Sequence, residues 1–460
     1  MVGWLLPFAL LPKTFTSALF ENFAQIAFPV FLIFLLVQLN FKPALVQDIL
    51  PERRTLQIWG ALIVVQFILF GWHALAYGDS DQTYGLIHGW FTFVQLIVVI
   101  WFAYTIQKIF IRDADSVFKF LASLIISLVV YLVVVIVPQL AVSFRLPFTG
   151  WTNFLAGLFE RHWDSRAWYD AGSYVATQHR INGFEPEAPF LVMLLGLVFG
   201  PILVSIVQEP MKRLKNGRRL QKLVWVLIVV LSLVFLMARS TSGYLMVALL
   251  GLFTVLFAPR STRKWLFIAG AVSLAVVISA YFFVPVVHDI FEKWLFAKQG
   301  TDNRLGGAIG LLQTFIHHPF FGVGFGNEGN FIEQFLPEWS KHNSEYINFY
   351  SKTAYPVLND FFGWLARFGA IVVISAIWLL GGLIVRAVNV YRQLIQSDKP
   401  EQIVYRIVIR AFFVMVPLTL MVAMITQINA FSWPMLLMYF FYWRVIHLAE
   451  ESESKGVKKI

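Results

Sequence analysis

The sequence predicts an all-α polytopic membrane protein with 11–12 transmembrane helices and one large polar loop outside the cytoplasm. Three observations carry that prediction. The chain of 460 residues is 58% hydrophobic and 13% charged, more apolar surface than a soluble protein can hide. Its apolar residues fall in runs of roughly 17–25, and about 20 residues of helix cross a bilayer core. Its sixteen Trp and fifteen Tyr suit a protein whose rings anchor at the membrane interfaces.

The elements follow in order. Met1 to Leu11 is apolar but opens without a basic segment, is followed by Lys13 and leads to no small-residue cleavage site. It reads as a short first span or an interfacial helix, not as a removed signal peptide. Spans are expected near 23–41, 57–77, 88–111, 118–142, 188–208, 223–238, 244–258, 265–286, 364–386, 407–427 and 431–447. The pair 223–238 and 244–258 is short and closely spaced. No repeat or low-complexity linker divides the chain, so residues 1–460 read as one integral membrane domain.

Lys and Arg set the orientation, because they accumulate in short cytoplasmic loops. The basic stretch Lys212-Arg213-Leu214-Lys215-Asn216-Gly217-Arg218-Arg219, the stretch 260–264, Arg53-Arg54, Arg392, Lys399 and the tail with Lys455, Lys458 and Lys459 all fall on one side of these spans. That side is expected to be cytoplasmic, with the C-terminus. The outer side then carries 78–87, the loop 143–187, 239–243, the large loop 287–363 and 428–430. The net charge of +10 is spread over inter-helix loops and forms no nucleic-acid-binding face. The absence of cysteine excludes disulfides, a thiol nucleophile and thiolate metal ligands.

The chemistry is concentrated outside. Eight of the nine His lie at the outer face or outer helix ends, where a group titrating near neutrality can act as base, acid or ligand. Outer arginines run against the orientation rule, and Arg180, Arg239 and Arg304 stand out. Guanidinium is always charged and grips phosphate oxygens in a two-pronged way; lipid headgroups or an ion pair with Glu185, Glu187 or Asp302 would occupy it equally well. In His317-His318-Pro319-Phe320-Phe321-Gly322-Val323-Gly324-Phe325-Gly326, proline ends a short helix near 304–317. The glycines then permit a sharp bend or a close approach to a ligand. Asp79-x-Asp81 in an outer loop has the look of a metal–diphosphate motif, yet Asp113-x-Asp115 on the cytoplasmic side shows how readily that pattern arises; no metal is expected.

Arg304, the His-Pro-x-x-Gly-x-Gly-x-Gly run, His342-Asn343 and the helix with Gly369 together resemble the O-antigen ligase and polysaccharide polymerase superfamily. Arg180-Ile181-Asn182-Gly183-Phe184-Glu185-Pro186-Glu187 and the corner Arg239-Ser240-Thr241-Ser242-Gly243-Tyr244-Leu245 extend the resemblance over roughly 175–385. One departure matters. A long insert separates His342-Asn343 from Gly369, and Asn359-Asp360 takes the nearer position, so either pair can enter the site.

The resemblance implies a GT-C-like fold and a bacterial, multi-pass cytoplasmic-membrane glycosyltransferase. Its substrates would be undecaprenyl-diphosphate-linked oligosaccharides, used without metal or other cofactor and without nucleic acid. A flippase and a chain-length regulator are implied as possible partners. The expected catalytic residues are Arg304, His342, Glu185 and Glu187. Arg180, Arg239, Arg304, His318, Gly322, Gly324, Asn343 and Asn359 are expected to bind diphosphate and sugar. Polymerisation of repeat units is favoured; ligase-type transfer to lipid A core, wall or protein is the alternative. A lipid or polysaccharide transporter is a third reading, and the scarcity of mid-membrane charge speaks against it.

Overall fold

The computed structural model describes residues 27–43, 49–51, 53–77, 86–163, 166–209, 217–292, 301–352, 355–395, 399–428 and 430–457. Met1 to Leu11, Asp79, Asp81 and most of the basic stretch at 212–216 lie outside the described residues. Those described contain helices, turns and no strand.

The helices are α1 (Ala27–Phe41), α2 (Arg53–Tyr77), α3 (Leu86–Phe110), α4 (Ala114–Ser143), α5 (Thr149–Phe159), α6 (Tyr174–Gln178), α7 (Ala188–Gln208), α8 (Gly217–Met237) and α9 (Thr241–Phe257). They continue with α10 (Arg260–Phe283), α11 (Pro285–Phe291), α12 (Thr301–His317), α13 (Glu328–Gln334), α14 (Ser344–Asn348), α15 (Asp360–Leu394), α16 (Pro400–Ala423) and α17 (Trp433–Val457). Each of the eleven expected spans coincides with a helix. Eight of these, α2, α3, α4, α7, α8, α10, α15 and α16, are long and apolar enough to cross a membrane. The described parts of α1 and α9 are shorter, and α17 runs past its apolar part into Glu450 and Glu451.

Helix α7 is the axis. Nearly all of it is buried, and it packs chiefly against α16, α8 and α9. Lipid tails are as apolar as leucine, so close packing and polar staples hold such helices together, not the expulsion of water. Both are visible. Gly196 and Gly200 leave room for Met246 and Leu250 of α9. Phe120 of α4 stacks on Phe441 of α17 with ring centroids 4.0 Å apart. Gln107 of α3 donates to the Leu437 carbonyl at 3.0 Å. Helix α10 buries none of its residues, as suits a helix with lipid around it.

One end of the bundle carries a buried ionic knot. Glu209, just past α7, accepts from Arg406, and its other oxygen lies 3.1 Å from Arg410. Arg406 also donates to the Leu394 carbonyl, and Arg410 to the Tyr391 hydroxyl. At the same end Asp113-x-Asp115 is a helix start. The Asp113 side chain accepts from Ser116 N, Ser116 Oγ accepts from Asp113 N, and Asp115 pairs with Lys119, a reciprocal cap.

Candidate active site

The opposite end gathers the polar loops, and a broken helix organises it. Within α15, Gly369 has φ 70° and ψ 174°, a conformation essentially reserved for glycine. A break inside a spanning helix strands backbone donors and acceptors where no water can satisfy them. Here the run 319–324 supplies the partners. Val323 N donates to Ala366 O at 2.9 Å and Gly324 N to Arg367 O at 3.0 Å. In return Ala370 N donates to Pro319 O at 2.7 Å and Ile371 N to Phe320 O at 3.1 Å. Gly322 (φ 69°) lies so close that a Cβ would come 2.4 Å from Ala366 O. The close approach that the glycines permit is therefore to a helix. Gly322 and Gly324 act as a splint, with α2 on the far side: Gln66 donates to Phe321 O and His73 Nδ1 meets Val323 O, both at 2.8 Å. His318 stands edge-on to His73 and to Phe331; burial, then the neighbouring His73 and His317, hold its imidazole below the usual range.

The first turn of α12 joins two other groups. Arg304 Nη1 donates to Thr426 Oγ1 at 2.8 Å, in the turn between α16 and α17. Asn359, the N-cap of α15, accepts from Phe362 N and donates to Met424 O at 2.6 Å. Asp360 accepts from Ile428 N at 2.9 Å. Arg304 and Asn359-Asp360 thus bracket the same turn. The preceding residue, Asn303, exchanges amide hydrogen bonds with Asn343 (2.9 and 2.7 Å) and donates to Glu345. Asn343 also caps α14, accepting from Tyr346 N. His342, beside it, is exposed.

The third group lies between the loop before α7 and the corner before α9. Gln139 and Tyr131 of α4 clamp the backbone of Asn182, Gly183 and Phe184. Arg180 Nε donates to Ala238 O at 3.2 Å and Nη1 to the Tyr174 hydroxyl at 3.1 Å. Arg239, next to Ala238, adopts φ 47°, uncommon for a residue with a Cβ. Glu187, at the N-cap of α7, accepts from Trp163 Nε1 at 3.0 Å. Burial pushes its carboxyl above the ordinary carboxylate range, against the opposing pull of Arg180, the Trp163 hydrogen bond and Arg166. Glu185 is 3% exposed and lines a small cavity with Ile428 and Ser432.

Arg166 bridges the two loops. Its guanidinium lies 3.8 Å from the centroid of Phe349 and 3.9 Å from Glu345, and Glu345 also accepts from Tyr350 at 2.9 Å. The structure therefore links Arg180, Glu187 and the 238–239 corner to Asn303, Arg304 and Asn343 through a pair that inspection of the sequence does not single out. Arg166, like Arg180, lies away from the basic loops of the sequence, and that signal was open to reading. Glu345 and Asn303 carry none. Arg367, paired with Glu328, is a further arginine at this end of the bundle, revealed only by the helix break.

No curated protein sequence matches the chain. Residues 226–377 do match a family, described as O-antigen ligase. The match runs from α8 past the helix break and includes Arg239, Arg304, His342, Asn359 and Gly369, leaving Arg180, Glu185 and Glu187 upstream. The matched segment, about a third of this multi-pass chain, carries the splinted helix and the arginine-bearing corner, and it is what the chain shares with the O-antigen ligase family.

Proposed function

We propose that the chain is a polymerase that joins lipid-diphosphate-linked oligosaccharide repeat units at the outer face of the bacterial cytoplasmic membrane. Members of the matched family are glycosyltransferase-like enzymes; the donor, the acceptor and the orientation are our reading. The observation that carries it is the presence of two arginine stations at one end of the bundle. One is Arg180 with Arg239 at the 238–239 corner. The other is Arg304 at the 424–428 turn. A polymerase holds two lipid diphosphates at once, one on the donor and one on the acceptor, whereas a ligase holds one.

In this reading an acceptor hydroxyl attacks the anomeric carbon of the donor. The bond from that carbon to the diphosphate oxygen breaks, and the lipid diphosphate leaves as the anion. Its departure needs fixed positive charge more than a proton, and preorganised guanidinium groups provide it. The hydroxyl proton passes to Glu187, whose affinity for protons is raised by burial. Glu187 stands near Arg180 and Arg166, whereas Glu185 lines a separate cavity and His342 is exposed, which favours Glu187 among the candidates. Asn343 and Asn359 support the reading as caps that fix the loops around Arg304.

The test is reconstitution with a lipid-diphosphate repeat unit as the only saccharide. A ladder of longer products supports polymerisation, and the ladder persists with EDTA if no metal takes part. Products formed only when a different acceptor is added would replace the polymerase by a ligase. Arg304→Lys keeps charge but loses the planar fork, so turnover should fall by about 10²–10³. Near-normal turnover in a monodisperse Arg304→Ala sample would remove the diphosphate role.

A further inference from the structure

A cavity of about 170 Å³ lies beside the helix break, between the first half of α15 and the turn joining α16 to α17. Asp360, Trp364 and Arg367 line it from α15, Gln427 and Phe431 from the turn, and Leu96 from α3. Positions 360, 364 and 367 recur at i, i+4 and i+7, which is one stripe of a helix. Arg367 pairs with Glu328 and lies over Phe325, 4.8 Å from the ring centroid. Its Nε is buried and has no hydrogen-bond partner among the described residues. A buried donor left open costs free energy, and it leaves this guanidinium with hydrogen-bonding capacity next to the cavity.

The size and the lining narrow the ligand. At about 30 Å³ per liquid water, the space equals roughly six waters, the bulk of a single hexose. Aromatic rings offer an apolar body for the C–H face of a pyranose. Asp360 accepts, the Arg367 guanidinium donates and Gln427 does both, which matches hydroxyls that donate and accept. Charge decides among sugars. Glu328 already neutralises Arg367, and Asp360 adds an acid, so a uronate would meet no spare cation in the lining and one like charge.

The geometry points to a subsite for one uncharged pyranose ring in this cavity, next to the Arg304 station. Gln427 follows Thr426, the Arg304 partner, so the ring sits beside the diphosphate-binding arginine. The inference rests on the transfer reading in one respect: the ring is taken as part of the lipid-linked saccharide.

Saturation-transfer NMR on the full chain in detergent tests it with methyl galactoside, methyl N-acetylglucosaminide and methyl glucuronide. The neutral glycosides should receive saturation and the glucuronide should not. Leu96→Trp, which fills the cavity and leaves every polar group in place, should abolish the signal. Gln427→Ala should weaken binding by about fivefold, the loss of one hydrogen bond, and it decides the matter if Leu96→Trp is polydisperse. No signal in the wild type, an equal signal for the glucuronide, or signals unchanged in the folded variants would overturn the subsite. Turnover is followed separately. Wild-type transfer with an unchanged KM in Leu96→Trp sinks the subsite and leaves the transfer reading standing. A saccharide signal lost in Leu96→Trp, without transfer by the wild type under any acceptor, keeps the subsite and sinks the transfer reading.

Discussion

Gly369→Ala should be among the most damaging single-atom additions to this protein. The structure fixes why. Gly369 sits at φ 70°, ψ 174°, where a residue with a Cβ pays on the order of 1–3 kcal/mol in strain. A Cβ there would also come 2.4 Å from Phe320 C and O and Phe321 N. Those atoms belong to the splint backbone, which is held by its four hydrogen bonds to α15 and cannot retreat cheaply. Overpacking of that kind costs about 1–3 kcal/mol more. Together roughly 2–6 kcal/mol is a large part of a stability usually near 5–15 kcal/mol, and a melting temperature lowered on the order of 10 °C follows. The control lies in the same helix: Gly381 and Gly382 have nothing within 4 Å of a Cβ, and alanine there should be neutral or slightly stabilising. Thermal unfolding of detergent-solubilised protein, read by monodispersity after heating, compares the variants. If Gly369→Ala melts with the wild type while remaining monodisperse, the splinted break is wrong.

Three other outcomes are expected. Glu209→Gln, which leaves the buried Arg406 and Arg410 without their carboxylate, should cost about 3–5 kcal/mol; an unchanged melting temperature would show that the knot is not structural. Glu187 carries a carboxyl raised by burial, so the folded state holds its proton longer than the unfolded chain does. Its stabilising contribution is complete below the ordinary value of 4.5 and is lost as pH rises through the raised one. Measured from about pH 4 to 8, wild type should therefore lose stability relative to Glu187→Gln, and a constant difference would contradict the burial effect. Finally, Ser344 and Ser261 are both exposed. Ser344→Cys should react with an impermeant reagent on intact cells and Ser261→Cys only after permeabilisation; the reverse pattern inverts the proposed orientation.

The sequence by itself determined the class of the protein and the positions of its membrane helices, because both rest on local quantities. A run of about 20 apolar residues must be helical in a bilayer, since no other open structure satisfies its backbone. The arginines away from the basic loops were legible for a similar reason: each is a charge apart from the stretches where Lys and Arg accumulate, and Arg180, Arg239 and Arg304 need no partner to be noticed. What the glycine run does was decided only by the tertiary structure. Its residues look the same whether they cradle a ligand or a helix, and the carbonyls they satisfy, at Ala366 and Arg367, lie more than forty positions away in the chain. The same holds for Arg166 with Glu345 and for Glu209 with Arg406 and Arg410. Such pairs arise from how helices and loops are set beside one another, and hydrogen bonds and ion pairs across that distance leave no periodicity in the sequence.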